Sequence, residues 1–188
     1  MKIDAVMPKN NEQELIAAAM MSGFDELILL SEDMNYRYEP KKYDKILVKK
    51  GFLAKDISQT SRARKYFDYI FANAERKFFE QKIDFMIGSE LSERKDSFHY
   101  RSTSLNQVHA KLAKENNICV VFNLGLLLDS GLRSKQIYFG RMLQNARLVK
   151  KYKLKSVVFS MARTPMEMRS AVVLDAFRNV LCVDKIHK

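Results

Sequence analysis

Short apolar runs alternate with amphipathic segments along most of the chain. Runs such as "ELILL" (26–30) and "ICVVF" (118–122) are apolar at every position, which is typical of strands buried on both faces of a parallel sheet. Segments such as "LNQVHAKLAKENN" (105–117) instead repeat apolar residues every three or four positions and predict helices. The predicted strands are 3–7, 26–30, 45–54, 66–72, 83–88, 118–122 and 155–162.

This alternation predicts an α/β protein with one domain over residues 1–188. Parallel strands need crossover connections, and the predicted helices supply them. Those helices are 10–23, 74–81, 105–117, 139–153 and a tail from about residue 165. Strands in this number fit a closed (β/α) barrel of the TIM type or a doubly wound sheet. The G-x-G-x-x-G and Walker A patterns are absent, which lowers the nucleotide-binding version of the open sheet.

The segment "FGRMLQNARLVKKYK" (139–153) predicts a helix with one apolar face and one basic face. Apolar residues at helical spacing form one stripe, which should face a core. They are Tyr138, Met142, Ala146 and Val149. Arg147, Lys150 and Lys151 are spaced i, i+3 and i+4, so they should share another face, where like charges repel each other. We predict that this face binds an anionic partner.

The charge balance supports that prediction. Among 188 residues, 33 Lys and Arg against 22 Asp and Glu give a net charge of +11. Between Arg133 and Arg169 there are ten basic residues and a single acidic one, Glu167. A positive charge concentrated in one part of a chain indicates a polyanion such as nucleic acid, or an anionic membrane surface. The alternative is a protein that is merely basic.

The loop "ERKDSFHYR" (93–101) has a composition suited to RNA. Its cations Arg94, Lys95 and Arg101, with His99, are interleaved with the aromatic residues Phe98 and Tyr100. Cations bind phosphates, and aromatic rings stack on unpaired bases. The loop could instead be a solvated charged segment whose two aromatic rings pack into the rim of a barrel.

Catalytic chemistry is poorly represented in the sequence. The histidines are His99, His109 and His187, none in an H-x-H or H-E-x-x-H pattern and none at a strand end. A catalytic metal needs several converging ligands, and the sequence assembles no such set. The first predicted strand offers Asp4 and no histidine. Asp68 and Asp84 are strand carboxylates, which are as often structural as catalytic, and no G-x-S-x-G motif is present. We therefore expect no catalytic residues and no cofactor or metal bound by the protein.

Cysteine usage and hydropathy bear on location. Cys119 lies in an apolar run and is expected to be a buried small hydrophobe, and Cys119 and Cys182 do not make a disulfide framework. The N-terminus lacks the apolar region of a secretory signal, and no apolar run is long enough to span a bilayer. We therefore expect a cytoplasmic protein in a reducing compartment, without membrane attachment.

Two long segments resemble the ribonuclease P protein component 3 family, the thirty-kilodalton protein subunit of archaeal and eukaryotic ribonuclease P. They are "KIDFMIGSELSERKDSFHYRSTSLNQVHAKLAKENNICVVFNLGLLL" and "FGRMLQNARLVKKYKLKSVVFSMARTPMEMRS". "VHAKLAKENN" before a buried strand, "GRMLQN" leading into "KKYK", and "EMR" carry the likeness. The resemblance covers roughly residues 45–182.

The resemblance implies a distorted TIM-like barrel and an accessory role in an enzyme that removes the 5′ leader of precursor tRNA. In that family the RNA carries the chemistry with bound Mg²⁺, so the isolated subunit is expected to be inactive. The implied partners are ribonuclease P RNA, ribonuclease P protein component 2, the other protein subunits, and precursor tRNA through the assembled enzyme.

The family's basic residues map by local motif onto Arg76, Arg94 or Lys95, Lys151 and Arg169, with Lys111 and Arg141 as further candidates on matching helices. Together with the helix and the loop, the residues predicted to bind RNA are Arg76, Arg94, Lys95, Arg101, Lys111, Arg141, Arg147, Lys150, Lys151 and Arg169. The chain departs from the family after "EMRS", where Val173 takes the place of an Asp and the last helix is short.

Two other functions stay open on the sequence. One is a metal-dependent phosphoesterase with a barrel of the polymerase-and-histidinol-phosphatase type, although the first-strand histidines of those enzymes are missing here. The other is a barrel that binds only proteins, which a gel-shift experiment with RNA would distinguish.

Overall fold

The computed structural model describes residues 2–38, 42–43, 45–92 and 95–183. The strands are β1 (Ile3–Val6), β2 (Glu26–Ser31), β3 (Lys42–Tyr43), β4 (Ile46–Ala54), β5 (Tyr69–Asn73), β6 (Phe85–Ile87), β7 (Cys119–Asn123) and β8 (Ser156–Phe159). The helices are α1 (Glu12–Met21), α2 (Ile57–Ala63), α3 (Arg76–Phe79), α4 (Gln107–Glu115), α5 (Leu124–Asp129), α6 (Leu132–Tyr152) and α7 (Ala171–Val180), and a 3-10 turn covers Pro165–Glu167.

Seven parallel strands form one sheet in the order β1-β2-β4-β5-β6-β7-β8, and β3 pairs antiparallel with β4. The two ends of this sheet meet. Met161 N donates to Ala5 O at 3.0 Å, and Met7 N donates to Ala162 O at 2.8 Å. The chain therefore forms a nearly closed, distorted TIM-like barrel, which confirms the predicted fold class.

A buried carboxyl group also joins the two ends. Asp4 Oδ1 accepts a hydrogen bond from Ser160 N at 2.7 Å, and Asp4 Oδ2 accepts one from Ser160 Oγ at 2.5 Å. Burial raises the pKa of Asp4 to about 7, although the bonds from Ser160 oppose this rise. Asp4 therefore acts as a structural link between β1 and the residue after β8.

The barrel interior is filled with apolar side chains. The rings of Phe71 and Phe85 stack with their centroids 4.7 Å apart, and the ring of Phe159 meets that of Phe85 edge to face with centroids 5.4 Å apart. Gly51, in β4, faces this interior, where a Cβ atom would lie only 2.8 Å from Ile28 Cγ2. A glycine is needed at this point because the facing side chains occupy the space.

The helices cover the outside of the barrel. In α6 the predicted apolar stripe is buried at Met142, Ala146 and Val149, and Tyr138 is half-buried against the same core. β5 overlaps residues 69–72 of the aromatic segment 66–72, whose β-branched and aromatic content predicted a strand, and residues 66–68 precede the strand. The short helix α5 between β7 and α6 was not predicted.

Candidate nucleic-acid interface

The loop between β6 and α4, described over residues 89–92 and 95–106, packs against α6. Gln144 fixes the loop through both ends of its side-chain amide. Arg101 N donates to Gln144 Oε1 at 2.8 Å, and Gln144 Nε2 donates to Arg101 O at 2.7 Å. The described part of the loop therefore has a defined position on the helix, even though it contains no regular secondary structure.

Arg141 holds the same loop from beneath. Its Nε donates to Asp96 Oδ1 at 2.9 Å, and its NH1 donates to the carbonyl oxygens of Glu90 and Ser92, both at 3.0 Å. Arg141 is only 4% exposed. The predicted RNA contact does not fit this placement, because a buried guanidinium that binds the chain's own oxygens has no surface to offer a phosphate.

Asp96 joins Arg141 to the outer surface. Besides Arg141 it accepts hydrogen bonds from Ser102 N at 2.8 Å and from Arg101 NH1 at 3.1 Å. Partial burial raises the pKa of Asp96, but the bonds from Ser102 and the two guanidinium groups outweigh burial and hold its pKa below the usual range. Asp96 is therefore an ionised residue that positions Arg101.

A second group of buried polar side chains lies next to Arg141. Asn145 Nδ2 donates to Ser89 Oγ at 3.0 Å, and Ser89 Oγ donates to Glu90 Oε2 at 3.2 Å. Burial raises the pKa of Glu90 to about 7. Glu90 Oε1 and Asn145 Oδ1 have no hydrogen-bond partner within the described residues. Sequence reasoning missed this group, although Arg141, Gln144 and Asn145 are spaced i, i+3 and i+4 on one helix, which was a usable signal.

Two clefts open where the loop meets α6. One, of about 470 Å³, is lined by Lys95, Tyr100, Arg101, Gln144 and Arg147 together with neighbouring loop residues. The other, of about 510 Å³, shares four of those residues, Tyr100, Arg101, Gln144 and Arg147, and adds Phe98 and His99. The structure thus brings together three of the predicted RNA-binding residues, Lys95, Arg101 and Arg147.

The C-terminal half of α6 presents the predicted basic face. Arg147, Lys150 and Lys151 are all exposed. The ion pairs found in the described part of the chain engage other cations, so none of them involves Arg147, Lys150 or Lys151. The paired cations are Lys49, Lys55, Arg64, Lys77, Arg101, Arg141 and Arg178. We define the basic face as Lys95, Arg101, Arg147, Lys150 and Lys151, of which only Arg101 has a carboxylate partner within the described residues.

The remaining predicted residues lie elsewhere. Arg76 is exposed at the start of α3, and Lys111 is exposed on α4, which packs beside α6. Arg169 is half-buried, and its NH1 donates to the carbonyl oxygens of Met166 at 2.9 Å and Met168 at 3.1 Å. Arg94 lies outside the described residues. None of these three described residues lines the clefts beside the loop.

Most groups considered for catalysis have structural surroundings. His109 stacks on Phe79 with centroids 4.4 Å apart, and Asp84 Oδ2 accepts from Arg64 NH1 at 2.6 Å and from Ile70 N at 2.7 Å. Cys119 is buried, as predicted. Across the residues that the structure describes, no three His, Cys, Asp or Glu side chains are grouped to hold a metal ion. His187 lies outside those residues.

Within the same described ranges, no helix combines the length and the apolar character needed to cross a bilayer. The longest, α6, has 21 residues and carries Arg147, Lys150 and Lys151 of the basic face.

Comparison with solved structures shows which proteins share this fold. A chain of archaeal ribonuclease P, from a cryo-EM structure with mature tRNA, superimposes with a TM-score of 0.75 at 18% identity, covering 95% of this chain and 82% of that one. A histidinol phosphate phosphatase from Lactococcus lactis, crystallised with zinc, L-histidinol and phosphate, superimposes with a TM-score of 0.55 at 10% identity, covering 96% of this chain and 92% of that one. No protein-family model and no curated protein sequence matches the chain.

Proposed function

We propose that this chain is the component 3 type subunit of ribonuclease P, which binds and stabilises the catalytic RNA rather than cleaving precursor tRNA itself. Arg147, Lys150 and Lys151 of the basic face carry this proposal, because exposed cations with no carboxylate partner among the described residues suit the binding of RNA phosphates. The fold likeness to a chain of archaeal ribonuclease P supports the same assignment.

The division of labour follows from the chemistry available. In the proposed complex, Mg²⁺ held by the RNA supplies the hydrolytic chemistry, and this chain supplies positive charge from a rigid barrel. Its other partners would be ribonuclease P protein component 2, the remaining protein subunits and, through the assembled enzyme, precursor tRNA. The apolar stripe of α6 is buried against the barrel, so it is not available to insert into a membrane beside the basic face.

Reconstitution tests the proposal. The ribonuclease P RNA and the other protein subunits from the same source are assembled with and without this chain, and cleavage of precursor tRNA is measured over a range of Mg²⁺ concentrations. We expect the chain to raise cleavage and to lower the Mg²⁺ needed for it. Equal cleavage with and without the chain would contradict the proposal.

The alternative, a metal-dependent phosphoesterase, shares the barrel with the zinc-bound phosphatase. The purified chain, freed of RNA, is incubated with precursor tRNA and with p-nitrophenyl phosphate in the presence of Mg²⁺, Mn²⁺ or Zn²⁺. We expect no turnover. Sustained metal-dependent turnover by the isolated chain would favour the phosphoesterase.

A further inference from the structure

We propose that the two clefts beside Arg101 bind unpaired nucleotides of RNA, with bases stacked on Phe98 and Tyr100 and the neighbouring phosphates held by Lys95, Arg101 and Arg147. This inference rests on the proposed function and deepens it. It names single-stranded RNA, rather than the backbone of a duplex, as the ligand of this part of the surface.

The first observation is the exposure of the aromatic rings. The chain has twelve phenylalanines, all within the described residues, and Phe98 is the single exposed one, at 97% of its surface. Tyr100, two residues later, is 64% exposed. The other phenylalanines are buried or half-buried, whereas Phe98 and Tyr100 form an exposed pair of rings on one loop, which is available to be covered by a partner.

The second observation is that the loop presents these rings in a fixed turn. Ser97 N donates to Tyr100 O at 3.0 Å, and Tyr100 N donates to Ser97 Oγ at 3.1 Å. These bonds close a turn with Phe98 and His99 at its tip. The clamp by Gln144 then fixes the following residue, Arg101, on α6. A loop ordered in advance loses little conformational entropy when it binds a ligand.

The third observation is the arrangement of charge around the rings. Arg147 of α6 and Arg101 of the loop line both clefts, and Lys95 lines one of them. The nearby carboxylate of Asp96 is only 14% exposed and is engaged by Arg141 and Arg101, so it does not repel an anion in the clefts. Cations and aromatic rings therefore line the same clefts, which suits a single strand of nucleic acid, in which bases alternate with phosphates.

The size of the clefts and the chemistry of the rings favour an unpaired strand over a duplex. Volumes of about 470 and 510 Å³ lie within the range of pockets that hold small ligands, which includes a nucleotide. Bases inside an A-form duplex are stacked on each other, and only bases in loops, bulges and ends can stack on a protein ring. A protein partner that covers Phe98 is the competing occupant.

The test compares ring variants on two RNA probes. A 12-nucleotide single strand containing 2-aminopurine and the same strand paired with its complement are titrated with the wild-type chain and with Phe98→Leu and Tyr100→Leu. Leucine keeps an apolar side chain but cannot stack as a ring does. Tyr66→Leu is the matched control, because Tyr66 is 60% exposed and follows α2, away from the basic face.

We expect each ring variant to weaken binding of the single strand about fivefold or more, while duplex binding and the control stay unchanged. The 2-aminopurine fluorescence should fall on binding to wild type and fall less with the ring variants. Equal weakening on both probes, or none on either, would overturn the inference. Loss of partner-protein binding with RNA binding intact would assign the rings to a protein instead.

The same titrations separate this inference from the proposed function. If Arg147→Ala weakens binding of both probes while the ring variants change nothing, RNA binding stands and the stacking site fails. If the wild-type chain binds neither probe nor the ribonuclease P RNA, both fail.

Discussion

The two halves of α6 use the same kind of residue in opposite ways. In the N-terminal half, Arg141 is 4% exposed and binds Asp96 and two carbonyl oxygens of the loop. In the C-terminal half, Arg147 is exposed and has no carboxylate partner among the described residues. The described residues of the loop, 89–92 and 95–106, cover Arg141 and leave Arg147 exposed, so the neighbouring element, rather than the residue type, decides the role. We call Arg141 with its loop partners the buried half, and Arg147, Lys150 and Lys151 the open half.

The two halves also differ in the electrostatic energy of the free protein. The buried half satisfies its charges internally, whereas the open half keeps like charges together at i, i+3 and i+4, which costs a few tenths of a kcal/mol per pair. That cost disappears when an anion binds. Variants in the two halves should therefore affect different measurements, namely stability for the buried half and RNA binding for the open half.

The largest effect on stability is expected from Arg141→Ala. The change leaves Asp96 without its buried partner and leaves the carbonyl oxygens of Glu90 and Ser92 without this donor. We expect the free energy of unfolding to fall by about 3 kcal/mol, measured by urea denaturation. Arg141→Lys, which keeps the charge but loses the multiple hydrogen bonds, should cost less, about 1 to 2 kcal/mol. A neutral result for Arg141→Ala would remove the distinction between the two halves.

The second effect concerns pH and also belongs to the buried half. The pKa of Glu90 rises from 4.5 to about 7 on burial, so between those values the folded chain holds a proton that the unfolded chain has released. Glu90 therefore makes the fold less stable as pH rises from 4.5 to 7. Relative to Glu90→Gln, the wild type should lose about 2 kcal/mol over that interval. Parallel curves of unfolding free energy against pH for the two chains would show that folding does not raise the pKa of Glu90.

A smaller effect is expected from Arg147→Ala in the open half. Arg147 lines both clefts, so its loss should weaken binding of the ribonuclease P RNA by about 1 kcal/mol, or roughly fivefold in Kd. Stability should change by less than about 0.5 kcal/mol, because the side chain is exposed. Filter binding and urea denaturation of the same preparation measure both quantities. A loss of stability with unchanged RNA binding would show that Arg147 has a structural role like that of Arg141.

The sequence predicted the open half better than the buried half, for a physical reason. Helical periodicity is local, so it placed Met142, Ala146 and Val149 in the core and Arg147, Lys150 and Lys151 outside. The role of Arg141 depends on Asp96 and Glu90, which are 45 and 51 residues away along the chain, and local patterns carry no information about such contacts.

The same reasoning applies to the fold and to the loop. The alternation of apolar runs and helices predicted the seven parallel strands, because each of them lies in an apolar run of its own. It left a closed barrel and a doubly wound sheet open, and the family resemblance favoured the barrel. The closing contact between Asp4 and Ser160 joins residues 156 positions apart and was not predictable. In the loop, composition alone identified cations and aromatic rings, but the contact of Arg101 with Gln144 was needed to place them beside Arg147.

We propose that the exposed cations of α6 bind RNA phosphates, and the salt dependence of RNA binding by Lys151→Ala is the decisive measurement. The Kd for the ribonuclease P RNA is measured at several salt concentrations for wild type, Lys151→Ala and a control, Lys65→Ala, whose exposed lysine follows α2 elsewhere on the barrel. We expect Lys151→Ala to weaken binding and to lower the magnitude of the slope of log K against log salt by roughly 0.7 to 0.9, with Lys65→Ala and the melting temperature unchanged. Unchanged affinity and slope for Lys151→Ala, or the same change for both variants, would contradict the claim.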